Sequence, residues 1–156
     1  MTDASGPPPP AIEGTTIGGL PHLGFLLGSA LYSVPLTRLR EVAKLERLRR
    51  IPGAAAHVAG LVNLRGEIIC ALDTHAILGL PRPADGDLGF LIALRDFDFP
   101  VGLIVDSIAD VFSIEPASIE PPPDDVPAER AAFLTGVCAV AAGSMGLIDL
   151  DRVVNR

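Results

Sequence analysis

The stretch of sequence that decides the fold is VAGLVNLRGEIICALD, residues 58–73. Two polar side chains, Asn63 and Arg65, lie among apolar residues, and the turn that follows Arg65 opens a β-rich run. Residues 67–72 predict a strand, because they form a short apolar run that follows turn-forming residues. Asp73 follows this strand, where its carboxylate can cap the free N–H groups of a short helix.

The rest of the chain contains mainly short apolar strands separated by turn residues. Many brief strands with few long helices favour a barrel or a sandwich, that is, an all-β fold. Two hairpins are predicted at residues 23–34 and 90–105, with further strands at residues 108–114, 134–140 and 145–148. Residues 143–146 are interpreted as a turn between strands, and short helical turns are predicted at residues 36–42, 74–78 and 150–154.

The chain also repeats a pattern at a fixed offset. Gly60 and Asp73 recur as Gly136 and Asp149, since 136 − 60 and 149 − 73 are both 76. In both places a strand ends at an aspartate, and an apolar pair follows. The pattern predicts two similar β subdomains, with chance similarity between apolar strands as the alternative.

Composition restricts the class of protein. The chain has 156 residues, 49% hydrophobic and 20% charged, which suits one compact domain or two small subdomains that share a core. Its net charge of −7 argues against nucleic-acid binding, because phosphate recognition needs a surplus of Lys and Arg. No apolar run reaches the roughly 18 residues of a membrane helix, and the N-terminus lacks the pattern of a secretion signal. Cys70 and Cys138 lack a CxxC spacing and are predicted to be reduced, buried thiols of a cytosolic protein.

Two proline clusters stand out from the strand pattern. Residues 1–21 contain few large apolar side chains and predict a disordered Pro/Gly-rich tail, because such a segment cannot bury enough surface to offset its ordering entropy. The second cluster, at residues 116–127, is predicted to be an ordered or semi-ordered surface loop within the domain rather than a boundary.

Catalytic and metal-binding groups do not converge in this sequence. The three histidines, His22, His57 and His75, lack the spacing of a zinc site. There is no Gly-x-Ser-x-Gly elbow, phosphate-binding loop or dinucleotide fingerprint. Four aspartates lie at strand or helix ends, where capping is the favoured role: Asp73, Asp106, Asp110 and Asp149. We therefore expect a protein that is not an enzyme and that uses no cofactor and no metal, with an enzyme using an unrecognised pocket and a nucleic-acid-binding barrel as the alternatives.

Four segments, taken in order, resemble the chemotaxis coupling (CheW-like) family. Residues 58–73 are similar to its G-x-x-N-L-R-G turn, with the following strand and L-D. Residues 24–42 resemble its opening hairpin and short helix, and VGLIVDSIADV at residues 101–111 resembles its VGxxVDxVxxV strand pair. Residues 134–136 and 147–151 resemble its closing segment. The chain departs from the family where Cys70 replaces a usual Pro and where Thr74-His75 replaces Leu-Arg.

The resemblance implies two SH3-like β-barrel subdomains with a shared apolar core and a few short helices, over residues 22–156. It implies a non-enzymatic adaptor that couples methyl-accepting chemoreceptors to a histidine kinase through the kinase regulatory domain. Such an adaptor is cytoplasmic and is recruited to membrane-associated receptor arrays, with no direct insertion into the membrane. The alternative is a divergent scaffold of a non-motility chemosensory pathway that binds the kinase but not receptors.

The resemblance also implies two sets of contact residues. The receptor tip is expected in an apolar groove between the subdomains, against Leu36, Leu39, Glu41, Asn63 and Arg65. Leu36 and Leu39 are predicted to lie three apart on a short amphipathic helix, or merely to seal the core. Arg65 and Glu41 are expected to pair, with a purely fold-stabilising ion pair as the alternative. The kinase contact is predicted at an apolar and basic edge formed by Arg47, Leu48, Arg50 and Ile51.

Overall fold

The computed structural model describes residues 19–82 and 86–155 of the chain. Within these residues there are ten β-strands in two five-stranded sheets, three short α-helices and two single 3-10 turns. The prediction of an all-β fold is confirmed. The first strand starts at Leu20, so the last two residues of the predicted tail belong to the fold, whereas residues 1–18 lie outside the described residues.

The two sheets are SH3-like barrels of five strands each; the strands of the second are consecutive in the chain, and those of the first come before and after them. The first barrel has the strand order β8-β1-β2-β10-β9 and contains β1 (Leu20–Leu27), β2 (Ala30–Pro35), β8 (Ser107–Ile114), β9 (Leu134–Val140) and β10 (Gly143–Ile148). The second barrel has the order β3-β6-β7-β5-β4 and contains β3 (Leu39–Lys44), β4 (Val58–Leu64), β5 (Glu67–Asp73), β6 (Phe90–Leu94) and β7 (Val101–Val105). In each barrel one neighbouring pair is parallel, β2 with β10 and β5 with β7, and the other pairs are antiparallel.

The aspartates at the ends of β5 and β10 cap two matching helices. The Oδ1 atom of Asp73 accepts the N–H of Ala76 at the start of α1 (Thr74–Leu78), at 3.2 Å. The Oδ1 atom of Asp149 accepts the N–H of Arg152 at the start of α3 (Leu150–Val154), also at 3.2 Å. Both capping predictions are confirmed, and so are the two helices.

The internal repeat extends to two glycines that lie beneath a crossing segment of main chain. A Cβ atom at Gly60 would lie 2.3 Å from the carbonyl oxygen of Arg49, and one at Gly136 would lie 2.6 Å from that of Glu120. Arg49 and Glu120 each exchange two main-chain hydrogen bonds with the residue that follows the glycine. Gly60 and Leu61 in β4 correspond to Gly136 and Val137 in β9 at the offset of 76, so the predicted pair of subdomains is present.

Three apolar clusters form the core of the protein: one lies between the barrels, and each barrel has one of its own. The largest contains residues of both sheets and of α1 and α3, and it lies between the barrels as the predicted shared core; its members include Phe25, Val34, Ile92, Leu103, Leu78 and Val153. A second cluster fills the second barrel around Ile69 and Leu91. A third fills the first barrel around Phe112 and Met145.

Three local predictions are wrong. The helix predicted at residues 36–42 is only a 3-10 turn, Leu36–Arg38, after which the chain enters β3, because pairing with β6 overrides the apolar spacing. The turn predicted at residues 143–146 belongs to β10, and the chain reverses at the two preceding alanines. The capping role predicted for Asp106 and Asp110 is also wrong. Asp106 lies between β7 and β8 and accepts hydrogen bonds from His75 and Gly28, and Asp110 lies inside β8.

The second proline cluster and the two cysteines can also be compared with their predictions. Residues 116–127 stay within the first barrel, beginning with the 3-10 turn Pro116–Ser118 and leading into α2 (Ala128–Ala131). Cys70 and Cys138 are both free thiols; Cys138 is buried as predicted, whereas Cys70 is only half-buried. Burial raises the pKa of the Cys70 thiol, so this side chain stays protonated at neutral pH.

Candidate protein-binding site

The turn between β4 and β5 presents Arg65. Arg65 and Gly66 form a two-residue connection in which both residues have positive φ, 51° and 87°, as a type I′ hairpin turn requires. The side-chain Oδ1 atom of Asn63 accepts the N–H of Gly66 at 2.9 Å. Asn63 therefore fixes the shape of the turn that carries Arg65, and this role is a structural one.

Arg65 and Glu41 form a two-point ion pair. Nη1 of Arg65 donates to Oε1 of Glu41 at 2.9 Å, and its Nη2 lies 2.8 Å from Oε2. The Glu41 side chain is 20% exposed, whereas the Arg65 side chain is 76% exposed. The carboxylate is thus held close to the protein, and the guanidinium reaches outward with further N–H groups for a partner.

A second ion pair lies beside the first and was not predicted. The guanidinium of Arg40 contacts the carboxylate of Glu67 and also lies 3.9 Å from Oε1 of Glu41. β3 and β4 are the outer strands of the second sheet, and both ion pairs run from β3 to the β4–β5 hairpin. We call this junction the seam; it consists of Arg40, Glu41, Arg65 and Glu67.

Leu36 and Leu39 are only partly available for contact with a partner. Both are half-buried and pack against the core between the barrels. Leu36 begins the 3-10 turn and Leu39 begins β3, so the predicted amphipathic helix does not exist. Their burial favours the alternative in which they seal the core.

The predicted kinase-contact residues lie along the outer edge of β4. Arg47 and Arg50 are exposed, and Ile51 is 39% exposed. Leu48 is half-buried against the core of the second barrel. Arg49, in the middle of this segment, exchanges main-chain hydrogen bonds of 2.9 and 2.8 Å with Leu61, which holds the segment on the strand.

The two predicted contact sets meet at one cavity. A cavity of about 270 Å³ beside the seam is lined by the end of β3, the segment that follows it and the end of β4. Asn63, from the receptor set, and Arg47, from the kinase set, both line it. The structure thus brings one residue of each set together on the second barrel, while Leu36 and Leu39 lie against the core between the barrels.

The sequence also did not predict a group of contacts made by the Arg38 side chain. Its Nη2 donates to Oδ1 of Asp151 at 3.3 Å, its Nε lies 3.9 Å from Oδ2 of Asp96, and its guanidinium carbon lies 4.7 Å from the centre of the Phe97 ring. Arg38 therefore joins the β6–β7 hairpin to α3. Nothing in the sequence connects residues 113 positions apart, so local patterns could not have found this contact.

In the part of the chain that the structure describes, no three His, Cys, Asp or Glu side chains come together as a metal site would require. Over the same residues, no helix has the length and apolar character needed to cross a membrane.

The fold and the seam define a small protein of two repeated β barrels with an exposed arginine held by a carboxylate. A family model described as the CheW-like domain matches residues 21–156, and the chain belongs to this family.

Relatives and a solved structure agree with this assignment. Chemotaxis protein CheW of Treponema pallidum is 34% identical over 131 residues, which cover 81% of this chain and 76% of that protein. Chemotaxis protein CheW of Rhizobium meliloti is 29% identical over 143 residues, which cover 92% of each. The crystal structure of the scaffolding protein TtCheW from Thermoanaerobacter tengcongensis superposes with a TM-score of 0.76 and 28% identity, covering 88% of this chain and 89% of that one.

Proposed function

We propose that this protein is a chemotaxis coupling adaptor, which joins a chemoreceptor to a histidine kinase by non-covalent contacts and catalyses no reaction. Membership of the CheW-like family supports the proposal, as does the likeness to a protein described as a scaffold. The adaptor would act at membrane-associated receptor arrays. Its contacts with the receptor and with the kinase would hold it in these arrays.

The observation that carries the proposal is the geometry of the seam. The Arg65 guanidinium is anchored by two contacts to Glu41 and is still three-quarters exposed. A guanidinium fixed in this way loses little side-chain entropy when it binds a second acceptor, so it is suited to recognising a protein surface.

The receptor contact is proposed at Leu36, Leu39, Glu41, Asn63 and Arg65. In this arrangement Arg65 supplies the directional hydrogen bonds, and Asn63 and Glu41 hold it in position. Leu36 and Leu39 supply only the apolar surface that their packing leaves accessible. The recognised partner would be a helical receptor tip that carries acceptor groups beside an apolar stripe.

The kinase contact is proposed at Arg47, Leu48, Arg50 and Ile51. Two exposed arginines beside an exposed isoleucine suit a partner surface that combines carboxylates with an apolar patch. Leu48 anchors the segment from below, because it packs into the second barrel. The regulatory domain of the histidine kinase is the proposed partner.

The adaptor role is tested by reconstituting the three components. Receptor-containing vesicles are sedimented with the kinase, in the presence and absence of this chain, and binding to the isolated kinase regulatory domain is measured by calorimetry. We expect the kinase to sediment with receptors only when the chain is present. We expect a dissociation constant in the micromolar range, about −8 kcal/mol, for the regulatory domain.

Two other outcomes separate the alternatives. Kinase binding without receptor-dependent sedimentation would indicate the divergent scaffold that has lost receptor binding. No binding to either partner, with a folded chain, would overturn the proposal.

A further inference from the structure

A second, larger cavity lies on the first barrel, away from the seam. Its volume is about 650 Å³, within the range of small-molecule sites in proteins. It is bounded by the β1–β2 hairpin, by β8, β9 and β10, and by residues 119–127, which lead into α2. We call residues 119–127 the strap and the cavity the strap cavity. Much of its wall is apolar, with side chains such as Leu26, Leu31, Phe112, Val126 and Leu134.

Tyr32 brings a hydrogen-bonding group to this apolar wall. Its side chain lines the cavity, yet the residue is only 6% exposed. Among the described residues, no hydrogen bond to the Tyr32 hydroxyl is found. Burial raises the pKa of Tyr32 and the nearby Arg130 charge lowers it, with burial the larger effect, so the phenol is a protonated donor at neutral pH. A phenol that lines the cavity and has no hydrogen bond within the described residues can donate to a ligand that supplies an acceptor.

Arg130 is held at the same cavity by the neighbouring barrel. Its Nε donates to the carbonyl oxygen of Leu78 at 2.9 Å, and its Nη2 to that of Gly79 at 3.5 Å. No hydrogen bond from its Nη1 is found in the described part of the chain. The guanidinium is therefore fixed in place with donor capacity remaining, and it lies close enough to Tyr32 to affect its ionisation.

Two carboxylates supply the negative charge of the lining, which also contains Ser29 and Ser144. Asp110 on β8 and Asp125 on the strap are both exposed, and neither forms an ion pair within the described residues. With the single positive charge of Arg130, the lining carries a net charge of about −1. A simple anion would meet repulsion from the aspartates, and a simple cation would leave the Tyr32 and Arg130 donors unmatched.

We propose that the strap cavity binds a small zwitterion with an apolar body, such as an α-amino acid with an aliphatic or aromatic side chain. The ligand carboxylate would accept from Tyr32 and Arg130, its ammonium group would face Asp110 and Asp125, and its side chain would pack on the apolar wall. Such a site would let the protein respond to a metabolite directly. This goes beyond the coupling role and does not depend on it.

The proposal is tested by titrating the full-length protein with L-leucine and L-phenylalanine, using calorimetry and amide NMR spectra. Three probes each lack one feature: 4-methylpentanoate lacks the ammonium group, 3-methylbutylamine lacks the carboxylate, and glycine lacks the apolar body. We expect saturable binding of leucine or phenylalanine, with amide shifts at the strap cavity. Binding of the three probes should be at least about tenfold weaker, since each loses a charge-assisted hydrogen bond or the apolar contact.

Variants locate the ligand. Tyr32→Phe keeps the ring and removes only the hydroxyl, and it should weaken binding about tenfold. Asp110→Asn should weaken binding, whereas Asp98→Asn, which makes the same charge change on the β6–β7 hairpin, should not. The proposal is overturned if no amino acid binds, if 4-methylpentanoate binds as well as leucine, or if Tyr32→Phe and Asp110→Asn leave binding unchanged. Because kinase and receptor binding are measured separately, either proposal can fail without the other.

Discussion

His75 and Asp106 form a partly buried contact that joins the two barrels. Nε2 of His75 lies 3.1 Å from Oδ2 of Asp106, and the same oxygen accepts the main-chain N–H of Gly28 at 2.5 Å. His75 is on α1 and is 3% exposed, and Gly28 is in the β1–β2 turn. One carboxylate therefore holds α1, the crossing from β7 to β8 and a hairpin of the first barrel together.

Removing the Asp106 carboxylate should destabilise the protein. Asp106→Ala leaves the buried His75 nitrogen and the Gly28 N–H without their partner, and we expect a loss of about 1–3 kcal/mol in the free energy of unfolding. Urea denaturation followed by circular dichroism measures this change. Asp98→Ala on the exposed β6–β7 hairpin is the control and should change stability by less than about 0.5 kcal/mol. Equal effects of the two substitutions would contradict a special role for Asp106.

Adding a methyl group at either of the equivalent glycines should separate the crossing segment from its strand. Gly60→Ala and Gly136→Ala would place Cβ 2.3 and 2.6 Å from a main-chain oxygen, and we expect a cost of about 1–3 kcal/mol for each. Gly53→Ala is the control for backbone strain: its φ of 79°, like the φ of 155° at Gly60, is unfavourable for alanine, but no atom lies within 4 Å of the new Cβ. Denaturation midpoints close to that of Gly53→Ala would show that the close approach does not matter.

The Arg65–Glu41 pair should matter more for binding than for stability. Because Arg65 is largely exposed, Arg65→Ala should cost only about 0–1 kcal/mol of stability. On the proposed function, the same substitution should reduce receptor-dependent kinase activation while leaving binding to the kinase regulatory domain nearly intact. Glu41→Arg should behave similarly. Parallel loss of activation, kinase binding and thermal stability would instead indicate unfolding.

The basic edge should make kinase binding sensitive to salt. Replacing both Arg47 and Arg50 by Glu reverses the charge of an exposed surface that forms no ion pairs within the described residues. We expect slower association and weaker binding to the kinase regulatory domain, with the salt dependence of the native chain reduced. Surface plasmon resonance at several ionic strengths measures both quantities. A double variant that binds like the native chain would exclude this edge from the interface.

His22 should make stability depend on pH. Its Nδ1 donates to the carbonyl oxygen of Leu20 at 3.1 Å, but burial is the larger effect and lowers the pKa of His22 below 6.5. As pH falls through 6.5, the unfolded chain takes up the proton first, so the free energy of unfolding declines from there down to the lowered pKa of the folded state. His22→Gln should remove this part of the slope in urea titrations between neutral and mildly acidic pH. An unchanged slope would assign the effect to other groups.

Much of the fold could be predicted from local sequence. The hairpins, the capping aspartates Asp73 and Asp149, and the offset of 76 all depend on residues close together or on a repeated pattern. The start of β3 is predicted as helix from sequence, because the spacing of Leu36 and Leu39 fits a helical face and only pairing with β6 makes the segment extended.

The candidate site was predictable only in part. The Arg65–Glu41 pair followed from family resemblance, whereas the adjacent Arg40–Glu67 contact has no local signal, since it depends on β3 meeting the β4–β5 hairpin in space. Proximity of Asn63 and Arg47 has the same origin. Local sequence patterns do not predict the strap cavity, because segments from distant parts of the chain bound it.

The division of strands between the barrels bears on how the chain folds during synthesis. Residues 39–105 contain every strand of the second barrel, so this unit is complete once that stretch has left the ribosome. The β1–β2 hairpin emerges earlier but must wait for β8, β9 and β10, with its apolar face exposed in the meantime. A chain truncated before residue 143 would therefore contain every strand of the second barrel but would lack β10 of the first. The first barrel could not close, and such a species is prone to aggregation.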